Sequence, residues 1–150
     1  MAAATFNAIS QVKGLSQPQQ TRRRELVYLV DFNTLGDGTG LAAGEDAAIG
    51  ILPGGYVHER CDPILRTPEG TTATLDIGTE ANDDGFLDGG NMNGSANARV
   101  ALAGTEAYVA GTYFPTDTEL RVKTPSGAAT LDDAVIEVRM VGYMAEDLTA

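Results

Sequence analysis

Residues 135–144 read VIEVRMVGYM, and this stretch decides the fold class. Ile136, Val138 and Met140 fall on one side of an extended chain, Glu137 and Arg139 on the other. Successive side chains on a strand point to opposite faces, so this two-residue period predicts a strand with one buried face. The period recurs upstream in TATLDI (72–77), where Ala73, Leu75 and Ile77 oppose Thr72, Thr74 and Asp76. Shorter candidates are YVHER (56–60), RVAL (99–102), AYVAGTYF (107–114) and ELRVKT (119–124), with the pair Ile49 and Ile51. LVYLV (26–30) is apolar throughout, which predicts a strand buried on both faces.

Between these runs lie turn formers. Residues 31–48, DFNTLGDGTGLAAGEDAA, read as a Gly- and Asp-rich loop, and Pro53-Gly54-Gly55 as a turn. Asp62-Pro63 is expected to close the strand at 56–60, because proline cannot donate to a ladder. Further turns are expected at Pro115-Thr116-Asp117 and at Thr124-Pro125-Ser126-Gly127. Helix is expected only near the N-terminus and at Leu131–Ala134. About eight short strands with regular turns predict an all-β, jelly-roll-like sandwich or barrel. An extended or partly helical N-terminal arm precedes it. The expected organisation is an assembly arm over residues 1–25 and a β-sandwich domain over 26–150.

The charge is uneven. Net charge is −11, yet residues 1–24 hold Lys13, Arg22, Arg23 and Arg24 and no acid. The body therefore carries all 21 acids, and an acidic surface repels phosphate backbones. No nucleic-acid partner is expected. No run approaches the roughly 18 apolar residues that span a bilayer, so no membrane partner is expected either. One cysteine, Cys61, rules out an intrachain disulfide and fits synthesis in a reducing cytoplasm. In the arm, Phe6, Ile9, Val12 and Leu15 recur every third residue and are candidate partner-binding anchors. Arg22, Arg23 and Arg24 could steer the arm onto an acidic surface, including that of another copy.

The residues offer little for catalysis. The single histidine, His58, lies in HERC with Cys61 three positions on. On a regular strand these two side chains point to opposite faces, so a strand-exposed histidine is the plainer reading than a nucleophile pair. The Asp-rich loop 82–93 fails an EF-hand test. With Gly94 at the sixth position, Gly89 and Val100 occupy the first and twelfth, where acids are required. An Asx- and Gly-rich turn is expected there, with no metal and no cofactor. Phosphate-loop, dinucleotide and nucleophile-elbow patterns are absent, and no tryptophan is available to stack a sugar. The chain is not expected to be an enzyme.

TTATLDIGTEANDDGFLDGGNM (71–92) resembles a recurrent stretch in small structural proteins of tailed phages. There a strand of alternating hydrophobic residues closing on glycine leads into an acidic D-x-D-G-F/Y-L turn. FPTDTELRVKTPSG (114–127) and AVIEVRMVGYM (134–144) resemble the closing strands of the same proteins, which include capsid decoration or cement proteins. The resemblance covers about half the chain, residues 71–144. It implies a structural virion protein on the capsid exterior, made in the host cytoplasm. That protein would stabilise contacts between major capsid protein subunits and group as a homotrimer. A head-fibre or tail-associated module binding host-surface glycans is the alternative.

Overall fold

The computed structural model describes residues 23–101 and 106–148. Its strands are β1 (Arg23–Asp31), β2 (Asp46–Leu52), β3 (Tyr56–Thr67), β4 (Thr74–Gly78), β5 (Leu87–Asn91), β6 (Ala98–Arg99), β7 (Tyr113–Phe114), β8 (Thr118–Lys123) and β9 (Val135–Met144). They form two antiparallel sheets. One runs β1-β9-β3-β6, with β7 also paired to β3, and the other runs β2-β8-β4-β5. Setting aside the two-residue β7, the chain crosses between sheets after β1, β2, β3, β5, β6 and β8. That winding makes two Greek keys and is a jelly roll, as the strand count and turn spacing predict.

The inward faces supply the core. Ile136, Val138 and Met140 of β9 meet Leu75 and Ile77 of β4 and Leu120 and Val122 of β8, all fully buried. Burying each such side chain contributes about 1.5–3 kcal/mol relative to exposure. VIEVRMVGYM forms β9 over its whole length, and Ala73, Leu75 and Ile77 are buried together as their period requires.

Four expectations change. LVYLV is not buried on both faces: β1 is the outermost strand of its sheet, with Val27 49% and Leu29 70% exposed. The apolar run reports an edge, not a central strand. β3 continues through Asp62-Pro63. The Pro63 carbonyl accepts from Val100 N–H, so its ring nitrogen faces β6, away from the β3–β9 ladder, where no donor is missed. Leu131–Ala134 is not helical; Leu131 makes an isolated bridge with Leu41. The strand expected over 107–114 shrinks to Tyr113–Phe114. Upstream, Gly111 takes φ +96° and Tyr108 turns inward to pack on Phe86 and Phe114.

Two contacts set the sandwich's geometry. At the β1–β2 side, the Tyr28 ring covers Gly50 so closely that a Cβ there would lie 2.1 Å from Tyr28 Cε1. The Tyr28 hydroxyl donates to the Ile51 carbonyl at 2.9 Å, tying the two sheets together. The second contact is the buried carboxylate of Glu69. Its Oε2 accepts the backbone N–H groups of Asp132, Asp133 and Ala134 at 3.2, 3.1 and 3.0 Å. This clamp fixes the chain where it enters β9. Replacing Glu69 by Ala would leave three amides without their acceptor and should cost about 3 kcal/mol. Urea denaturation checks this, and a loss below about 1 kcal/mol would remove the clamp from the account.

Candidate interaction surface

The outer face of the β1-β9-β3 sheet carries an ion-pair lattice. On β9, Glu137 accepts from Arg66 Nε at 2.8 Å and from Arg139 Nη2 at 2.9 Å. On β3, Asp62 accepts from Arg60 Nε at 2.7 Å and from Arg99 Nε at 3.0 Å. Arg23 Nη2 meets Glu59 Oε2 at 3.0 Å, and Arg139 Nη1 lies 4.0 Å from Glu25 Oε2. The Arg66 and Arg139 guanidinium groups hold the Glu137 carboxyl below its ordinary range. Burial pushes Asp62 upward, but hydrogen bonds from Arg60 and Arg99 outweigh it and leave Asp62 lowered. Each of these arginines is thus matched by an acid of its own chain. Such exposed pairs add little stability, but they fix the charge pattern that a partner meets.

Apolar exposure lies beside this lattice. Among the described residues, the large hydrophobic side chains most open to solvent are Val27, Leu29, Ile51, Val109 and Tyr113. Val27 and Leu29 sit on β1 and Ile51 on β2, the edge strands of the two sheets on one side of the sandwich. Tyr108 and Phe114 pack inward on Phe86 and do not join Tyr113 at the surface. A glycan platform built from those three rings is therefore not assembled. A groove of about 190 Å³ beside β6, lined by Leu65, Asn91, Arg99 and Val100 among others, is smaller than ordinary ligand sites.

The expected anchors Phe6, Ile9, Val12, Leu15 and Arg22 lie outside the described residues. Arg23 and Arg24, read with the arm, are the first residues of β1, opposite Tyr143 and Gly142 of β9. Arg23 is held by Glu59 of its own sheet.

His58 is not strand-exposed, as HERC had suggested; it is 1% exposed. The register of β3 against β9 slips between His58 and Arg60, and this bulge returns Cys61 to the inner face with His58. An unbroken period of two misses the bulge, and nothing in the local sequence marks it. His58 packs edge-on to Phe86 at 4.7 Å between ring centroids. Its Nδ1 lies 3.3 Å from the Tyr56 hydroxyl, while Nε2 is buried without a partner. Burial pushes the Cys61 thiol far up, so it is a packed hydrophobe and not a thiolate nucleophile.

The three carboxylates that converge among the described residues are those of Glu69, Asp132 and Asp133. Glu69 is already saturated by backbone amides, so this trio reads as a structural clamp. The 82–93 stretch, read as one Asx- and Gly-rich turn, instead holds strand β5 at Leu87–Asn91, whose Gly89 N–H bonds to buried Asp76 of β4. Turn chemistry survives beyond it, where Asn93 N–H bonds to Asn91 Oδ1.

No family model matches the sequence, and no curated protein does. Among solved structures, the chain is similar to one in a structure described as the cyanophage Pam1 capsid asymmetric unit. The TM-score is 0.57 at 19% sequence identity, over 81% of this chain and 84% of that one. At this identity the likeness is one of fold.

Burial pushes the His58 imidazole down to about 4 from its ordinary 6.5. The unfolded chain takes up the proton first, so stability is full above about pH 6.5 and falls until pH reaches about 4. In the His58→Phe variant that part of the decline should vanish from melting midpoints taken across this range. Superimposable pH profiles of variant and wild type would contradict it.

Proposed function

We infer that the protein is a structural virion protein of a tailed phage, acting as a capsid decoration or cement protein. The observation that carries this reading is the fold likeness to a chain of a phage capsid asymmetric unit. Because the likeness spans most of both chains, the two are of similar length. The counterpart is thus also a small single sandwich, close in size to a domain that adds to a shell. The segment resemblance at 71–92 and 114–144 points the same way. The role is mechanical, not enzymatic, which fits the burial of both His58 and Cys61.

The sandwich would sit on the capsid exterior at a local symmetry axis and contact two or more major capsid protein subunits. Each contact is weak alone. Once one is made, the next becomes intramolecular and the pair holds far more tightly. Phe6, Ile9, Val12 and Leu15 would supply the apolar part of that contact, with Arg22 for steering. The homotrimer implied by the resemblance is the proposed grouping. The glycan-binding alternative gains no support from the aromatic residues, since Tyr108 and Phe114 pack inward.

The structure refines where the arm must be cut. Since β1 is described from Arg23, removal of residues 1–22 spares every described strand, whereas a cut after Arg24 would shorten β1. The trimmed chain should keep the wild-type melting midpoint but lose most of its co-sedimentation with cognate capsids. Undiminished co-sedimentation would show that the arm is not the attachment device; failure of the full chain to co-sediment at all would overturn the decoration reading.

A further inference from the structure

Among the described residues, the free edge of β1 stands apart from the margins formed by β2 and β5. Its nine residues pair with β9 without a single shift of register, whereas β2–β8 and β4–β5 each contain one and β3–β9 contains two. Phe32 N–H donates to the Ala134 carbonyl at 3.0 Å, continuing the β1–β9 ladder beyond Asp31 and Val135. Amide direction alternates along an antiparallel strand, so the amides of Leu26, Tyr28 and Val30 face β9. Those of Glu25, Val27 and Leu29 then face the open edge. The Asp31 carbonyl confirms the phase: it points away from β9 and accepts the Thr34 amide at 3.1 Å and hydroxyl at 2.9 Å.

A long, unbulged edge with exposed hydrophobic side chains is a template for another strand unless something blunts it. The centre of β1 has no proline, lysine or bulge, and Val27 and Leu29 are its most exposed apolar residues. The charges of β1 lie toward its ends: Arg23, Arg24 and Glu25 at the start, with a net positive charge, and Asp31 at the finish.

That polarity selects the occupant. We propose that the free edge of β1 pairs antiparallel with β1 of a second copy, about a two-fold axis centred on Val27. Outward-facing amides must meet outward-facing amides, so odd-numbered residues must sit opposite odd-numbered ones. Centring on Val27 sets Arg23 opposite the partner's Asp31 at both ends, with Val27 meeting its own counterpart. Shifting by two residues one way puts Glu25 opposite Asp31, two acids, which is destabilising. Shifting the other way sets Arg23 against Leu29 and Glu25 against Val27, leaving both charges facing apolar neighbours. Of these three registers, only the one centred on Val27 sets a base opposite an acid. The anchoring of Arg23 by Glu59 at 3.0 Å and of Asp31 Oδ1 by the Asn33 amide at 3.0 Å holds both ends in place.

A strand-to-strand contact buries less than the roughly 1,200 Å² typical of stable complexes, so the pairing is weak and concentration-dependent. It is a two-fold contact, separate from a three-fold grouping, and does not depend on the virion reading. On a shell it would join copies already held side by side.

Sedimentation equilibrium of the full chain from micromolar to millimolar concentration tests the pairing. Wild type should show a reversible two-fold association step. Arg23→Asp should weaken it by about tenfold or more, because two attractive pairs become two repulsive ones. The Arg23→Asp/Asp31→Arg double variant should restore it, and the chain lacking residues 1–22 should retain it. Absence of that step in wild type at millimolar concentration, or no recovery in the double variant, would overturn the proposal. So would association that vanishes without residues 1–22 yet ignores Arg23→Asp, since the arm would then be what covers the edge.

Discussion

β9 is the strand on which the rest of the structure depends. It pairs with β1 along nine residues and with β3 along ten, so one chain segment carries both long ladders of its sheet. Its inner row, Ile136, Val138 and Met140, packs on the opposite sheet, while its outer row carries Glu137 and Arg139 at the centre of the ion-pair lattice. The Glu69 clamp sets its start, holding the amides of Asp132, Asp133 and Ala134 where a ladder has not yet begun. A shift of β9 by one residue would exchange these rows and put two charges into the core. Its register is therefore specified by burial on one side and charge matching on the other.

Where one face was buried and the other polar, the sequence could be read directly. β9 and the Ala73, Leu75 and Ile77 row were legible because their alternation has a single physical cause. LVYLV misled because an apolar outer face looks the same in sequence whether another part of the chain covers it or nothing does. Val27 and Leu29 are apolar without being buried. His58 and Cys61 misled for a different reason: a bulge adds one residue to the count, and parity then puts both side chains inside. Pro63 did not end β3 because its missing donor faces away from β9, which depends on pairing partners far along the chain. The candidate anchors in the arm were legible only as a pattern, and the described residues begin at Arg23, after them.

The surface follows from the same economy of charge. Arginines on the outer sheet face are spent on the chain's own acids, so the body presents a patterned but locally neutralised lattice within a strongly acidic whole. Such an acidic whole repels phosphate backbones. The buried histidine and thiol belong to the core of the sandwich and not to its surface. Position within an assembly, not a pocket, would then decide what the protein does.

Cryo-electron microscopy of cognate virions, compared with particles lacking this chain, tests that claim most directly. The account predicts a two-sheet domain on the outer capsid surface, touching more than one major capsid subunit, and absent from the particles that lack the chain. Identical capsid exteriors in the two samples, or density for the chain only inside the head or on the tail, would contradict it.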